Sequence, residues 1–135
     1  MIALDTNVLA RYVIGDEPRQ AAAARRLIES SCTVESPGVV SLVVLCELAW
    51  VLRHGYRYRR SQVALVLRRL LAAQDLAPER SDLAWQALNL FEEGSADFSD
   101  YLIGLCGREQ KATVTCTFDR RAATSPLFRL VAATS

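Results

Sequence analysis

Short apolar runs alternate with longer helix-like segments along this 135-residue chain, and one such run near each end stops at an aspartate. Ile2-Ala3-Leu4 ends at Asp5, and the run from Thr113 to Phe118, rich in β-branched residues, ends at Asp119. Both read as buried strands. Further strands are expected at Cys32 to Glu35, Asp75 to Ala77 and Leu127 to Ala132, with Pro37-Gly38 as a turn. Helical spacing and start signals fill the intervals. Thr6 opens a short helix that Gly15 breaks. Pro18 sits in the first turn of an Ala-rich helix from Arg19 to Glu29. Ser41 caps a helix to about Arg53, and Ser61 caps one to about Ala73. A further helix opens at Pro78 or Ser81 and runs to Glu93, and the last runs from Asp97 to about Gln110. The order β-α-α-β-α-α-β-α-α-β-(α)-β predicts an α/β fold. It is a three-layer α/β/α sandwich with a central, mainly parallel sheet of four or five strands. No linker or repeat divides residues 1–135, so a single domain is expected.

Composition excludes several classes. Hydrophobic residues make up 51% and charged residues 23% of the chain, a globular balance rather than a disordered one. The four cysteines (Cys32, Cys46, Cys106 and Cys116) show no C-x-x-C spacing and lie in or beside apolar segments. They read as small hydrophobes in a reduced compartment, with neither a disulfide framework nor a zinc site. His54 is the only histidine, which argues against a histidine-based catalytic triad. Asp5 interrupts the N-terminus too early for a signal peptide. The longest apolar stretch, Val39 to Leu52, is shorter than the roughly 20 residues a membrane span needs. A soluble, cytoplasmic protein with no membrane partner is expected.

Acidic residues carry the chemistry. In open parallel sheets, ligands bind beyond the carboxyl ends of the strands at the topological switch point. Asp5 and Asp119 converge there if their strands are neighbours. Glu47 is the only charge between Val39 and Leu52. A carboxylate in so apolar a helix is costly unless it lies on a solvent-facing stripe or faces a cation, and the narrow polar stripe favours the cation. Asp100 precedes an apolar helical stretch, in a first turn where the helix dipole favours negative charge. Asp97, three residues earlier, shares that face and competes with it as ligand or N-cap. Four carboxylates in one pocket would protonate in part without a cation. Oxygen-only ligands suit hard ions such as Mg²⁺ or Mn²⁺, and those ions suit phosphoryl transfer. Each acid has a plainer reading as well: turn residues at Asp5 and Asp119, a surface glutamate at Glu47, a first-turn helix acid at Asp100.

Four motifs in this order resemble the PIN-domain ribonucleases, and more narrowly the VapC toxins of bacterial toxin–antitoxin pairs. They are Asp5-Thr6-Asn7-Val8-Leu9, Cys46-Glu47-Leu48, Ala96-Asp97-Phe98-Ser99-Asp100-Tyr101-Leu102-Ile103 and Thr117-Phe118-Asp119-Arg120. The resemblance spans nearly the whole chain. It implies Mg²⁺ or Mn²⁺ held by Asp5, Glu47, Asp100 and Asp119, with Asp97 as the cap or a ligand through water. It implies an endoribonuclease that cleaves RNA with an activated water and leaves a 3′-hydroxyl and a 5′-phosphate. It implies a VapB-like antitoxin whose C-terminal segment occupies the active-site groove, and a homodimer. Thr6, Asn7 and Thr117 match polar positions that orient carboxylates or water.

The net charge of +1 conceals a basic stretch without Asp or Glu from Leu48 to Gln74. Arg53, Arg57, Arg59 and Arg60, with Tyr56 and Tyr58 among them, read as contacts for RNA phosphates and bases, for an acidic antitoxin, or as a solvated hairpin tip. Trp50 and Trp85 read as core or dimer-contact residues. Other functions stand beside the toxin. A stand-alone RNA-processing nuclease shares the same acids. A receiver-type signalling domain wants an acidic pair after its first strand and a lysine after a late one, whereas Thr6 and Asn7 follow Asp5 and Lys111 precedes its strand. A non-catalytic binding module has no reason to keep all four acids.

Overall fold

The computed structural model describes residues 1–133, and several of its helices begin or end at residues whose chemistry favours a cap or a stop, although one starts at Arg60, ahead of the expected cap Ser61. Asp5 caps α1 (Thr6–Ile14), its Oδ1 accepting from Thr6 N at 2.8 Å, and Gly15 closes that helix in the left-handed region at φ 69°. Glu17 accepts from Arg19 N and Gln20 N at the start of α2 (Pro18–Ser31), whose Pro18 lies where an N–H would be unsatisfied anyway. Ser41 caps α3 (Leu42–Trp50) by accepting from Val44 N at 3.1 Å. That helix widens into a π-helical turn at Val51–Gly55, where the sequence implied one continuous α-helix to Arg53. Then follow α4 (Arg60–Ala72), α5 (Ser81–Glu93) and α6 (Phe98–Glu109), the last with Asp97 as N-cap.

The strands are β1 (Gly38–Val40), β2 (Leu76–Pro78), β3 (Thr115–Thr117) and β4 (Phe128–Leu130). β1 and β2 pair in parallel, and so do β3 and β4. Ala3 bridges Val39 in parallel, with Leu4 N donating to Val39 O at 2.9 Å and Val39 N to Ile2 O at 2.8 Å. The fold is therefore mixed α/β with parallel pairing. Among the described residues the ladders remain two separate pairs rather than one sheet of four or five strands. Each strand has only three residues.

Two expectations about strands are corrected. The run Cys32 to Glu35 forms no strand, and β1 instead starts at Gly38, in the pair that reads as a turn from sequence. Close packing explains the choice: a Cβ on Gly38 would lie 2.7 Å from Cys32 Sγ and 3.1 Å from Leu4 Cδ1. Gly38→Ala is therefore expected to destabilise by about 1–3 kcal/mol through overpacking, exceeding the ~0.4–1 kcal/mol that a restricted unfolded chain would return. Urea denaturation reads the difference, and an unchanged midpoint would contradict the close approach. The terminal runs are also less buried than expected. Met1 is 74% and Phe118 71% exposed, while Leu4 is buried. The core lies instead among the helices, where Leu9, Leu45, Leu48, Leu52, Leu67, Leu88 and the Phe91–Phe98 pair are fully enclosed. α3 packs against both α1 and α6, so the starts of those two helices flank it. No helix among the described residues is long and apolar enough to cross a membrane.

Candidate metal centre

Each of the four acids uses one oxygen on a donor of the protein, local in sequence for the three aspartates and distant for Glu47. Asp5 Oδ1 accepts from Thr6 N. Glu47 Oε1 accepts from Thr6 Oγ1 at 2.7 Å, which ties α3 to the start of α1. Asp100 Oδ2 accepts from Asp97 N at 3.0 Å, one arm of a capping box. Asp119 Oδ1 accepts from Arg121 N at 2.8 Å and Ala122 N at 3.1 Å, and so caps the 3₁₀ turn Ala122–Thr124. The second oxygen of each carboxylate makes no hydrogen bond among the described residues, and no arginine, lysine or histidine forms an ion pair with any of the four. Some other acids are paired with cations instead. Asp16 is held by Arg11 and Tyr56, and both oxygens of Asp82 by Arg80.

Among the described residues no three acidic, histidine or cysteine side chains stand close enough together to enclose a metal ion. The three aspartates are drawn to separate backbone N–H groups and Glu47 to the Thr6 hydroxyl, a spread that mutual carboxylate repulsion favours. Asp100 nevertheless feels its neighbours. Burial first, then the charges of Asp119 and Asp97, push its carboxyl above the usual range, against the opposing pull of the Asp97 N–H. The donor set consists of oxygens alone and fits a hard divalent cation by its chemistry.

The remaining expected residues are divided. Thr6 is buried and holds Glu47, while Thr117 Oγ1 accepts from Asp119 N at 3.0 Å. Asn7 lines the groove between α1 and α2 with Val8, Arg11 and Leu27, and its amide makes no hydrogen bond to the acids. Glu47 is exposed, on a stripe shared with Val43 and Trp50. The premise of a carboxylate buried in an apolar helix is thus corrected, and Trp50 lies outside the core. Asp97 Oδ2 stands 3.4 Å from His54 Nε2 across 43 residues of sequence. No local signal in the sequence announces that pair.

The basic stretch is more structured than its charge suggests. Arg53 donates to Tyr58 O at 3.2 Å. Tyr56 is held by Asp16 and Arg11 at the α1–α2 junction, so it is not a free stacking platform. Arg57, at φ 58°, and Arg59 are exposed. Arg60 is half-buried and turned toward the end of α5.

Family comparison agrees with this architecture. The PIN domain model matches residues 2–125, and the chain belongs to the PIN-domain family. It is 26% identical, over 121 residues, to a protein of Aquifex aeolicus (strain VF5) described as a VapC ribonuclease. That alignment covers 90% of this chain and 89% of the relative.

Proposed function

We propose that this chain is a divalent-metal-dependent endoribonuclease and the toxin of a type II toxin–antitoxin pair. The carrying observation is the set of four carboxylates, Asp5, Glu47, Asp100 and Asp119, each with one oxygen free of protein partners and none paired with a cationic side chain. Membership of the PIN family and likeness to a VapC ribonuclease support the assignment to RNA.

Asp5, Glu47, Asp100 and Asp119 would hold Mg²⁺, with Mn²⁺ as a substitute, and Asp97 stands beside them as the cap of α6. The bound ion would supply positive charge to the scissile phosphate and lower the pKa of an attacking water. Thr6 orients Glu47 through its hydroxyl, and Thr117 holds the backbone of Asp119. Of Arg53, Arg57, Arg59 and Arg60, the exposed Arg57 and Arg59 are free to meet a phosphate backbone or an acidic antitoxin. Exposed Val43, Trp50, Ile103 and Phe118 offer apolar surface for a homodimer. The cytoplasm, where RNA and a cognate VapB-like antitoxin reside, is the compartment this role requires.

The test uses the purified chain without partner protein and a mixed pool of cellular RNA. Cleavage is expected with Mg²⁺ or Mn²⁺, with 5′-phosphate ends. It falls to the uncatalysed background in excess chelator and returns when metal is restored. Cleavage that persists in chelator would sink the metal mechanism, and none with either ion would sink the nuclease reading.

A further inference from the structure

Arg60 is the first residue of α4, and it stands where α5 ends and α6 is about to begin. Its Nη2 donates to Phe91 O at 2.8 Å and Gly94 O at 3.0 Å, and its Nη1 to Ser95 O at 3.4 Å. These carbonyls belong to the end of α5 and to the connection that follows. Carbonyls at a helix end lack intrahelical donors, and a cation there complements the helix dipole. The guanidinium carbon also lies 4.1 Å from the centre of the Phe91 ring. Phe91 meets Phe98, the first residue of α6, edge to face at 6.4 Å.

The same connection is gripped from its other side. Tyr101 Oη accepts from Ala96 N at 3.3 Å. A Cβ on Gly94 would lie 1.9 Å from that oxygen, so only glycine lets the chain pass this close. The next link is the Asp97 N–H, which donates to Asp100 Oδ2. A continuous path therefore runs from the Arg60 fork, through the carbonyls of Gly94 and Ser95 and the amide of Ala96, to the hydrogen bond that orients the Asp100 carboxylate.

We propose that Arg60 is a positioning residue for Asp100, holding the Phe91–Asp97 connection so that the acid keeps one oxygen on its cap and the other toward the metal centre. This rests on the reading of Asp100 as a metal-holding acid. Three of the five guanidinium donors are taken by carbonyls and the guanidinium carbon sits over the Phe91 ring, whereas an arginine that grips phosphate keeps its fork free.

The experiment compares the full chain with Arg60→Gln, Arg60→Lys and Tyr101→Phe. Mn²⁺ affinity of the RNA-free protein is read by electron paramagnetic resonance, kcat and KM on RNA, and backbone amides by hydrogen exchange. Arg60→Gln is expected to weaken Mn²⁺ binding by about 10–100-fold, the usual cost of losing an orienting partner. It lowers kcat with KM unchanged and speeds exchange at Ala96 and Asp97. Arg60→Lys recovers only part of the affinity, because one ammonium cannot both sit over Phe91 and span three carbonyls. Tyr101→Phe loosens the same connection without removing a charge and weakens Mn²⁺ in the same direction. It carries the test with Arg60→Lys if Arg60→Gln does not fold. A raised KM with unchanged kcat and Mn²⁺ affinity, restored by lysine, would make Arg60 an RNA contact and overturn the proposal. A lowered melting temperature with metal affinity and kcat intact would overturn it equally, leaving only a helix cap. Failure of the nuclease reading is separable, since the unaltered chain would then neither bind Mn²⁺ nor cleave RNA, and the inference would fall with it.

Discussion

Asp100→Asn is expected to lower RNA cleavage by at least about 10³-fold while making the metal-free protein more stable. The loss follows from removing a ligand charge where a divalent ion contributes several kcal/mol to the transition state, at about 1.4 kcal/mol per tenfold. The gain in stability follows from the environment of the acid. Asparagine keeps an oxygen to accept the Asp97 N–H but removes a charge that burial and the fields of Asp119 and Asp97 disfavour. Because these raise the carboxyl's pKa in the folded state above its unfolded value, the native state binds more protons through that window. Stability of the metal-free protein therefore falls as pH rises from the ordinary value of 3.8 through the raised one. The advantage of the asparagine variant is accordingly largest at neutral pH and shrinks as pH drops toward that value. Melting curves in chelator at several pH values, with cleavage assays in Mg²⁺, read both effects. A variant that cleaves like the unaltered protein would pass the ligand role to Asp97. Asp97→Asn is expected to lose far less, because its Oδ2 is turned to His54.

Adjacent residues of α3 should behave in opposite ways. Leu48 is fully buried in the core, and truncating it to alanine is expected to cost about 2–5 kcal/mol through lost transfer energy and a residual cavity. That corresponds to a melting temperature lower by roughly 10 °C or more. Glu47 points to the other side, exposed and bonded to Thr6. Glu47→Gln keeps an acceptor for the Thr6 hydroxyl, so stability should stay within about 0.5 kcal/mol of the original while cleavage collapses with the loss of a ligand charge. Thermal unfolding and an RNA assay on the two variants measure the contrast. Equal stability in both would contradict the orientation of α3.

The helices and the β3 and β4 runs were legible because their determinants are local. Asp5, Ser41 and Asp97 act on amides within a few residues, Gly15 stops its helix through its own left-handed backbone, and Pro18 fits a first turn. The position of β1 was not legible. Pro37-Gly38 has turn chemistry, and only the packing of Gly38 on Cys32 and Leu4 makes it the start of a strand. Glu47 shows the same limit within a helix. An apolar composition says that most of α3 is buried, but which residue meets solvent depends on what packs against each face. Val43 and Trp50 share the exposed stripe although both are apolar.

By itself the sequence determined which segments are helical and most of their ends, the parallel α/β character, and the four acids whose order and spacing resemble the PIN family. Those properties follow from caps, breakers and periodicity, which act over a few residues. The tertiary structure alone decided that Thr6 holds Glu47 across 41 residues, that His54 meets Asp97, and that Arg60 grips the carbonyls before Asp97 instead of facing solvent. It also corrected the terminal runs, Ile2-Ala3-Leu4 before Asp5 and Thr113–Phe118 before Asp119, from buried strands of one sheet to partly exposed members of separate parallel pairings. These outcomes depend on which helix faces and chain ends meet, and that is set by the packing of distant segments into one core.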